Sequence, residues 1–271
     1  MKLRRALTFL FQDPRWVSKL GIAMVLNLVP AALIGYRLIT GSPSAASVLG
    51  GVSASTLQAT AFDVLWAPLV GLAMVPLFGF LLRITRNVVA GHDVPLPEWS
   101  AFGGLLRDGL KLWGVVSLWA LPAGLARIAA SPLAGDGSGG GWPAIDATIT
   151  VVSLIVFVVQ PAAEARLAVT GSLVAGLDVP AVFATVRRNL GGYLRLPLVL
   201  LVGFGVGIGL SMGLVALVWR ALGGAPSRRE ITVVGMTVAF VLLLPYTQFA
   251  LYHLYGQVYT RAQIQPRRHM R

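Results

Sequence analysis

Ala90-Gly91-His92-Asp93-Val94-Pro95 returns as Ala175-Gly176-Leu177-Asp178-Val179-Pro180, an offset of 85 positions. The same offset carries Pro76 onto Pro161, and a further step of 84 reaches Pro245. Acids precede these prolines at matching places: Asp63, Asp146 and Glu230 lie thirteen, fifteen and fifteen residues upstream. A fixed period of this length marks a supersecondary unit copied along the chain. Each copy contains two long apolar segments, so the repeat predicts a hydrophobic helical hairpin three times over. The units fall at roughly 1–90, 91–175 and 176–260, with a basic tail at 261–271, inside a single membrane domain covering 1–271.

Composition points the same way. The chain is 56% hydrophobic and 12% charged, with mean hydropathy +0.77. A soluble domain carries about 25% charged residues. A bilayer crossing needs about 20 predominantly apolar residues. Six such runs are read, at 17–38, 62–82, 110–129, 145–169, 194–222 and 231–255. The expected fold class is therefore all-α: a polytopic integral membrane protein with six transmembrane helices in three pseudo-repeated hairpins. Cysteine is absent, which excludes disulfides, thiolate metal sites and cysteine lipidation. The apolar part of 1–16 is short for a signal peptide and is interrupted by Asp13, so the first span is expected to act as its own targeting signal.

Charge placement sets an expected orientation, because cytoplasmic connections concentrate Lys and Arg. The N-terminal arm carries Lys2, Arg4, Arg5, Arg15 and Lys19, and the next segment on that side carries Arg83, Arg86, Arg107 and Lys111. The third has Arg166, Arg187, Arg188 and Arg195, and the tail Arg261, Arg267, Arg268 and Arg271. These are 17 of the 22 basic residues; Arg37, Arg127, Arg220, Arg228 and Arg229 stand opposite. Both termini are thus expected in the cytoplasm, with the protein in the plasma membrane. The net charge of +12 becomes a property of one face, whose natural partner is the anionic lipid of the inner leaflet. No basic globular module exists to hold a nucleic acid.

A short amphipathic helix is expected before each hairpin. In the middle copy Trp99, Phe102, Leu105, Leu106, Leu110 and Trp113 form an apolar stripe opposite Arg107, Asp108 and Lys111. In the third, Val179, Val182, Phe183, Val186 and Leu190 oppose Thr185, Arg187, Arg188 and Asn189. The first, Leu3, Ala6, Leu7 and Leu10, leaves Phe9 and Phe11 off the stripe. Such helices either lie in the membrane interface, with Arg107, Lys111, Arg187 and Arg188 on anionic lipid, or pack on the inner face of the bundle.

Gly79-Phe80-Leu81-Leu82-Arg83, then Arg86-Asn87, Gly91, Pro97-Glu98-Trp99, Phe102 and Arg107-Asp108-Gly109-Leu110-Lys111 resemble a family of uncharacterised polytopic membrane proteins of bacteria and archaea, known only as a domain of unknown function. Phe11-Gln12-Asp13-Pro14-Arg15-Trp16 fits its N-terminal pattern, and the similar layout covers most of the chain. The stretch from Pro-Glu-Trp to Asp-Gly-Leu-Lys is the specific part. More distantly, the chain resembles the membrane portion that precedes some glycerophosphodiester phosphodiesterases, without their soluble barrel. The resemblance implies a fold and a prokaryotic membrane location and supplies no activity.

Nothing in the residues adds one. His92, His253 and His269 are not at metal-ligand spacing, and no carboxylate dyad or nucleophile elbow occurs. Asp108 and Lys111 are expected to pair three apart on a helix. The Gly135–Gly141 tract lacks the strand and Lys-Ser/Thr of a phosphate loop and reads as a linker. A non-enzymatic protein without cofactor or metal is expected. At the hairpin tips, Arg37, Arg127 and Arg220 close outgoing helices and Asp63, Asp146 and Glu230 open returning ones, as helix dipoles favour; an external cation site is the alternative.

Within the spans, ionisable residues are functional candidates by default. Asn27 sits mid-span. Glu164 and Arg166 cluster with Gln160 and Pro161, and Gln248 and His253 lie at the same depth of the last span. Repeat registration makes Gly79, Glu164 and Gln248 equivalent. Glu164, Arg166, Gln248 and His253 are therefore either the lining of a small pocket or interfacial polar groups. Gly203, Gly205, Gly207, Gly209 and Gly213 are expected to allow close helix packing. Two functions follow: a scaffold or membrane-organising protein working at the cytoplasmic leaflet, or a carrier of a lipid or small amphiphile through the Glu164 pocket.

Overall fold

A computed structural model describes residues 2–40, 56–94, 96–130, 143–224 and 227–268, with backbone alone at 29, 32–40, 56–70, 127–130, 143–146, 204, 228–229, 240 and 265–268. Every regular element among them is helical. The N-terminal arm forms α1 (Leu3–Thr8) and a 3-10 turn, Phe9–Gln12. Long helices follow: α2 (Trp16–Thr40), α3 (Thr56–Ala90), α4 (Phe102–Ala130) and α5 (Pro143–Thr170). Two short helices, α6 (Leu173–Leu177) and α7 (Val179–Arg188), lead into α8 (Leu190–Ala221). The chain closes with α9 (Arg228–Val238), a π-helical segment Ala239–Leu243, and α10 (Leu244–Arg268).

Five stretches are long and apolar enough to cross a membrane: Gly71–Ala90, Phe102–Ala126, Ala147–Thr170, Leu190–Ala221 and Glu230–Ile264. Trp16–Leu28 is a shorter apolar stretch of α2. With Leu194, Leu198, Leu201, Leu210, Leu214 and Leu217 exposed along α8, the apolar residues do not close into a water-facing globule. They face lipid, as a helix apolar all round requires.

The helices are held by close backbone approach. α3 is central and α8 peripheral. A Cβ at Gly79 would overlap the Leu105 carbonyl, and one at Gly109 would overlap the Val75 carbonyl, so α3 and α4 cross in direct backbone contact. Gly91 (φ +80°) and Gly171 (φ +67°) end α3 and α5 in the left-handed conformation that terminates helices. Phe80, Leu105, Leu112, Leu167, Val182, Tyr193 and Phe249 are fully buried where these helices meet.

Several expectations change. The middle amphipathic helix is not a separate element: α4 runs unbroken from Phe102 into its span, because no proline falls between Phe102 and Leu121. Of its stripe Leu105 is buried, while Phe102 and Leu110 are exposed. In the first copy Phe9, assigned off the stripe, is fully buried, because the 3-10 turn after Thr8 breaks the 3.6-residue register. In α7 Val182, Thr185 and Val186 face the bundle and Val179 and Phe183 are exposed, as is Leu190 at the start of α8. The last span is interrupted by the π segment before Pro245.

The glycines of α8 divide. Gly203 and Gly207 face Thr247 and Leu243 across the π segment, whereas Cβ atoms at Gly205, Gly209 and Gly213 would meet nothing. At the tips, Ser227 and Glu230 form a capping box: the Glu230 N–H donates to Ser227 Oγ at 3.2 Å, and Glu230 Oε2 accepts the Ser227 N–H at 2.7 Å. Asp63 is the eighth residue of α3, two turns in from its start, beyond the reach of the dipole at the helix end. The side chains of Arg37, Asp63, Arg127 and Asp146 lie outside the described residues.

Candidate functional site: a fastened basic end and a buried polar cluster

One end of the bundle gathers the N-terminal arm, the 91–101 loop, α6 and α7. Most of its acids pair with cations. Asp13 turns the chain into α2 by accepting the Arg15 N–H at 2.7 Å, and its second oxygen accepts Lys19 Nζ at 2.7 Å. Lys19 also donates to Glu98 Oε1 at 2.8 Å, and its side chain is 3% exposed. Trp99 stacks on Phe80 at 4.3 Å and donates its indole N–H to the Lys19 carbonyl at 3.2 Å. The Asp13, Glu98 and Trp99 of the resemblance motifs thus fasten the arm and the loop to α2 and α3.

A second set joins α3, α4 and α5. Asp108 accepts Arg83 Nε at 3.1 Å and Arg86 Nη1 at 3.5 Å. The expected pair with Lys111 is not made. Lys111 Nζ donates instead to the Gly171 carbonyl, and Arg86 Nε to the Ala168 carbonyl at 2.7 Å. Both cations satisfy carbonyls that the end of α5 leaves without helical donors. Lys111 is therefore committed inside the protein and is not free for a lipid headgroup. Arg166, expected beside Glu164, reaches the other way, to the Ala175 carbonyl at 2.9 Å and to Asp178 at 3.4 Å. Arg107, Arg187 and Arg188 remain exposed.

Glu164 lies one and a half turns inside α5 and is 2% exposed. One oxygen accepts Gln160 Nε2 at 2.7 Å, and the Tyr252 hydroxyl is a further hydrogen-bonding neighbour of the carboxylate. Tyr252 and Tyr255 of α10 are its electrostatic neighbours. Gln248, one turn before Tyr252 on the same face of α10, has a buried carbonyl oxygen without a donor, and the Tyr193 hydroxyl on α8 is likewise unpartnered. Buried polar atoms of this kind are uncommon and ask for an explanation. His253 turns away from them: its ring packs on Phe9 at 4.5 Å and meets Gln257 Nε2 at 3.0 Å. The expected pocket thus divides, with Glu164 and the tyrosines on one face of α10 and His253 on another. Asn27 is fully buried with its amide on the Ala23 carbonyl at 2.8 Å and its oxygen unpartnered. The tyrosines were missed from sequence; their spacing of three, with Gln248 four before, placed them on one helical face.

The apolar helices and their fastened end define a multi-pass, all-helical membrane protein. Residues 62–219, more than half of the chain, match DUF4013, a family of proteins of unknown function. The chain belongs to that family. No curated protein and no solved structure matches it.

Proposed function

We propose that the chain is a six-span plasma-membrane protein, its three hairpins related by the repeat and both termini cytoplasmic, that works without catalysis at the inner leaflet as a scaffold or organiser of the membrane. The observation that carries this reading is α7. It packs inward through Val182 and Val186, yet leaves Val179 and Phe183 exposed beside Arg187 and Arg188. Neither arginine has an ion-pair partner among the described residues. Apolar side chains next to unpaired cations suit the boundary between acyl chains and anionic headgroups.

The chain contains no cysteine, so single cysteines can report depth. A fluorophore on Phe183→Cys in a reconstituted bilayer is expected to be quenched most strongly by a nitroxide near the headgroups. Quenching from water alone would remove α7 from the interface. For the topology, reporters fused after Asp136 and after Arg271 are expected on opposite sides of the membrane. The same side for both would end the six-span arrangement.

A carrier of a lipid or small amphiphile is the second reading. It is favoured by the buried Glu164 and by the unpartnered oxygen of Gln248 and hydroxyl of Tyr193, which a polar ligand group would satisfy.

A further inference from the structure

We infer that the depression between the N-terminal arm and the 91–101 loop binds the headgroup of an aminophospholipid, with its phosphate on Lys2, Arg4 and Arg5 and its ammonium on Asp93. This rests on the reading of the basic end as a lipid-facing surface and names one lipid class for it.

The depression is open, measures about 730 Å³, and is lined by Lys2, Leu3, Arg4, Arg5 and Asp93 among others. That volume lies in the range of small-ligand sites, about 300–1,000 Å³. Three cations and an acid share its wall, yet among the described residues none of the cations forms an ion pair with Asp93. Elsewhere at this end acids find cations: Asp13 and Glu98 hold Lys19, and Asp108 holds Arg83. Opposite charges that line one cavity without touching complement a ligand carrying both signs at a separation.

The repeat shows why Asp93 is free. Its counterpart Asp178 caps α7 by accepting the Ala181 N–H at 3.2 Å and takes Arg166 at 3.4 Å. Eighty-five positions before Arg166 stands Leu81, which is buried and has no charge to give. Among the described residues after Asp93 no helix begins until Phe102, so Asp93 caps no helix N-terminus there. The same acid in two copies is therefore structural in one and unemployed in the other.

The cationic wall is held in place. The Lys2 N–H donates to Gln257 Oε1 at 2.7 Å, the Tyr246 hydroxyl donates to the Leu7 carbonyl at 2.7 Å, and Ala6, Phe9 and Leu10 are buried. Leu3 and Leu7 stay exposed beside the cations, where the acyl chains of a lipid would run. This selects a membrane lipid over a soluble phosphate ester. A primary ammonium donates hydrogen bonds to a carboxylate, which the trimethylammonium of phosphatidylcholine cannot do.

The test uses the full chain in nanodiscs of phosphatidylcholine, phosphatidylglycerol and phosphatidylethanolamine, with retained lipids counted by native mass spectrometry. The wild type is expected to retain phosphatidylethanolamine in preference to phosphatidylcholine. Asp93→Asn, at an exposed residue without bonds among the described residues, is expected to reduce that preference roughly fivefold, the effect of one headgroup charge contact. Arg4→Gln with Arg5→Gln is expected to release both zwitterionic lipids. Arg187→Gln with Arg188→Gln should leave the ethanolamine preference intact, so the failure of α7 as a lipid surface is read separately. No ethanolamine preference in the wild type, or an unchanged one in Asp93→Asn, overturns the inference. So does equal displacement of the lipid by soluble phosphoethanolamine, which would assign the site to a soluble ligand.

Discussion

Lys19→Met is expected to destabilise the protein by about 3–5 kcal/mol, the usual cost of breaking a buried ion pair from one side. Asp13 and Lys19 are 5% and 3% exposed at their side chains and 2.7 Å apart. Removing the ammonium strands the Asp13 carboxylate where water cannot replace it, and leaves Glu98 its longer pair with Arg15 at 3.7 Å. The arm and the 91–101 loop then lose their buried anchor, and the loop is held by the Trp99 indole bond, its stack on Phe80, the buried Leu96 and the exposed Arg15–Glu98 pair. Thermal unfolding in detergent is the measurement. Adding Asp13→Asn to Lys19→Met should restore much of the loss, since the stranded charge is the main cost. Equal melting of wild type and Lys19→Met would show that the triad fastens nothing.

The same residue shows how far the sequence could be read. Lys19 is one of the 17 cations whose placement indicates orientation, and as a statistical member of that set it reads as a lipid-facing charge. Its burial depends on Glu98, 79 positions away, which no local pattern reveals. Asp108 is a parallel case. Spacing on its own helix favours Lys111, but Arg83 and Arg86 are brought closer by the glycine-mediated crossing of α3 and α4. Helix-period reasoning sees neighbours within one helix; it cannot see which helix lies across a groove.

The membrane class was legible, because long apolar runs have no other stable setting. The chemical neighbourhood of Glu164 was partly legible. Its depth and its association with Gln248 came from repeat registration, and it is buried beside the α10 face that carries Gln248. His253 was grouped with it by depth alone, and depth carries no information on helical face. One residue of rotation, about 100°, sends Tyr252 toward Glu164 and His253 toward Phe9. The glycines of α8 show the same limit: only Gly203 and Gly207 meet a neighbour, because alternation along a helix spreads them over several faces.

The second large effect concerns anionic lipid. Arg187 and Arg188 are exposed and have no ion-pair partner among the described residues, and each basic residue near an anionic leaflet contributes about 1 kcal/mol. Replacing both by Gln should remove about 2 kcal/mol of preference, roughly thirtyfold at the contact. The fold should hold, because α7 packs through Val182, Thr185 and Val186. Glu164→Gln should leave the lipid preference alone, since Glu164 does not reach that surface; a carrier would instead lose ligand on that change and tolerate the loss of the arginines.

The deciding measurement is the association of spin-labelled phosphatidylglycerol relative to phosphatidylcholine with the reconstituted wild type, the Arg187→Gln/Arg188→Gln variant and Glu164→Gln, with melting recorded for each. An inner-leaflet working surface requires strong selection of phosphatidylglycerol by the wild type and by Glu164→Gln, and its loss in the double variant at unchanged melting. A double variant as selective as the wild type would contradict it.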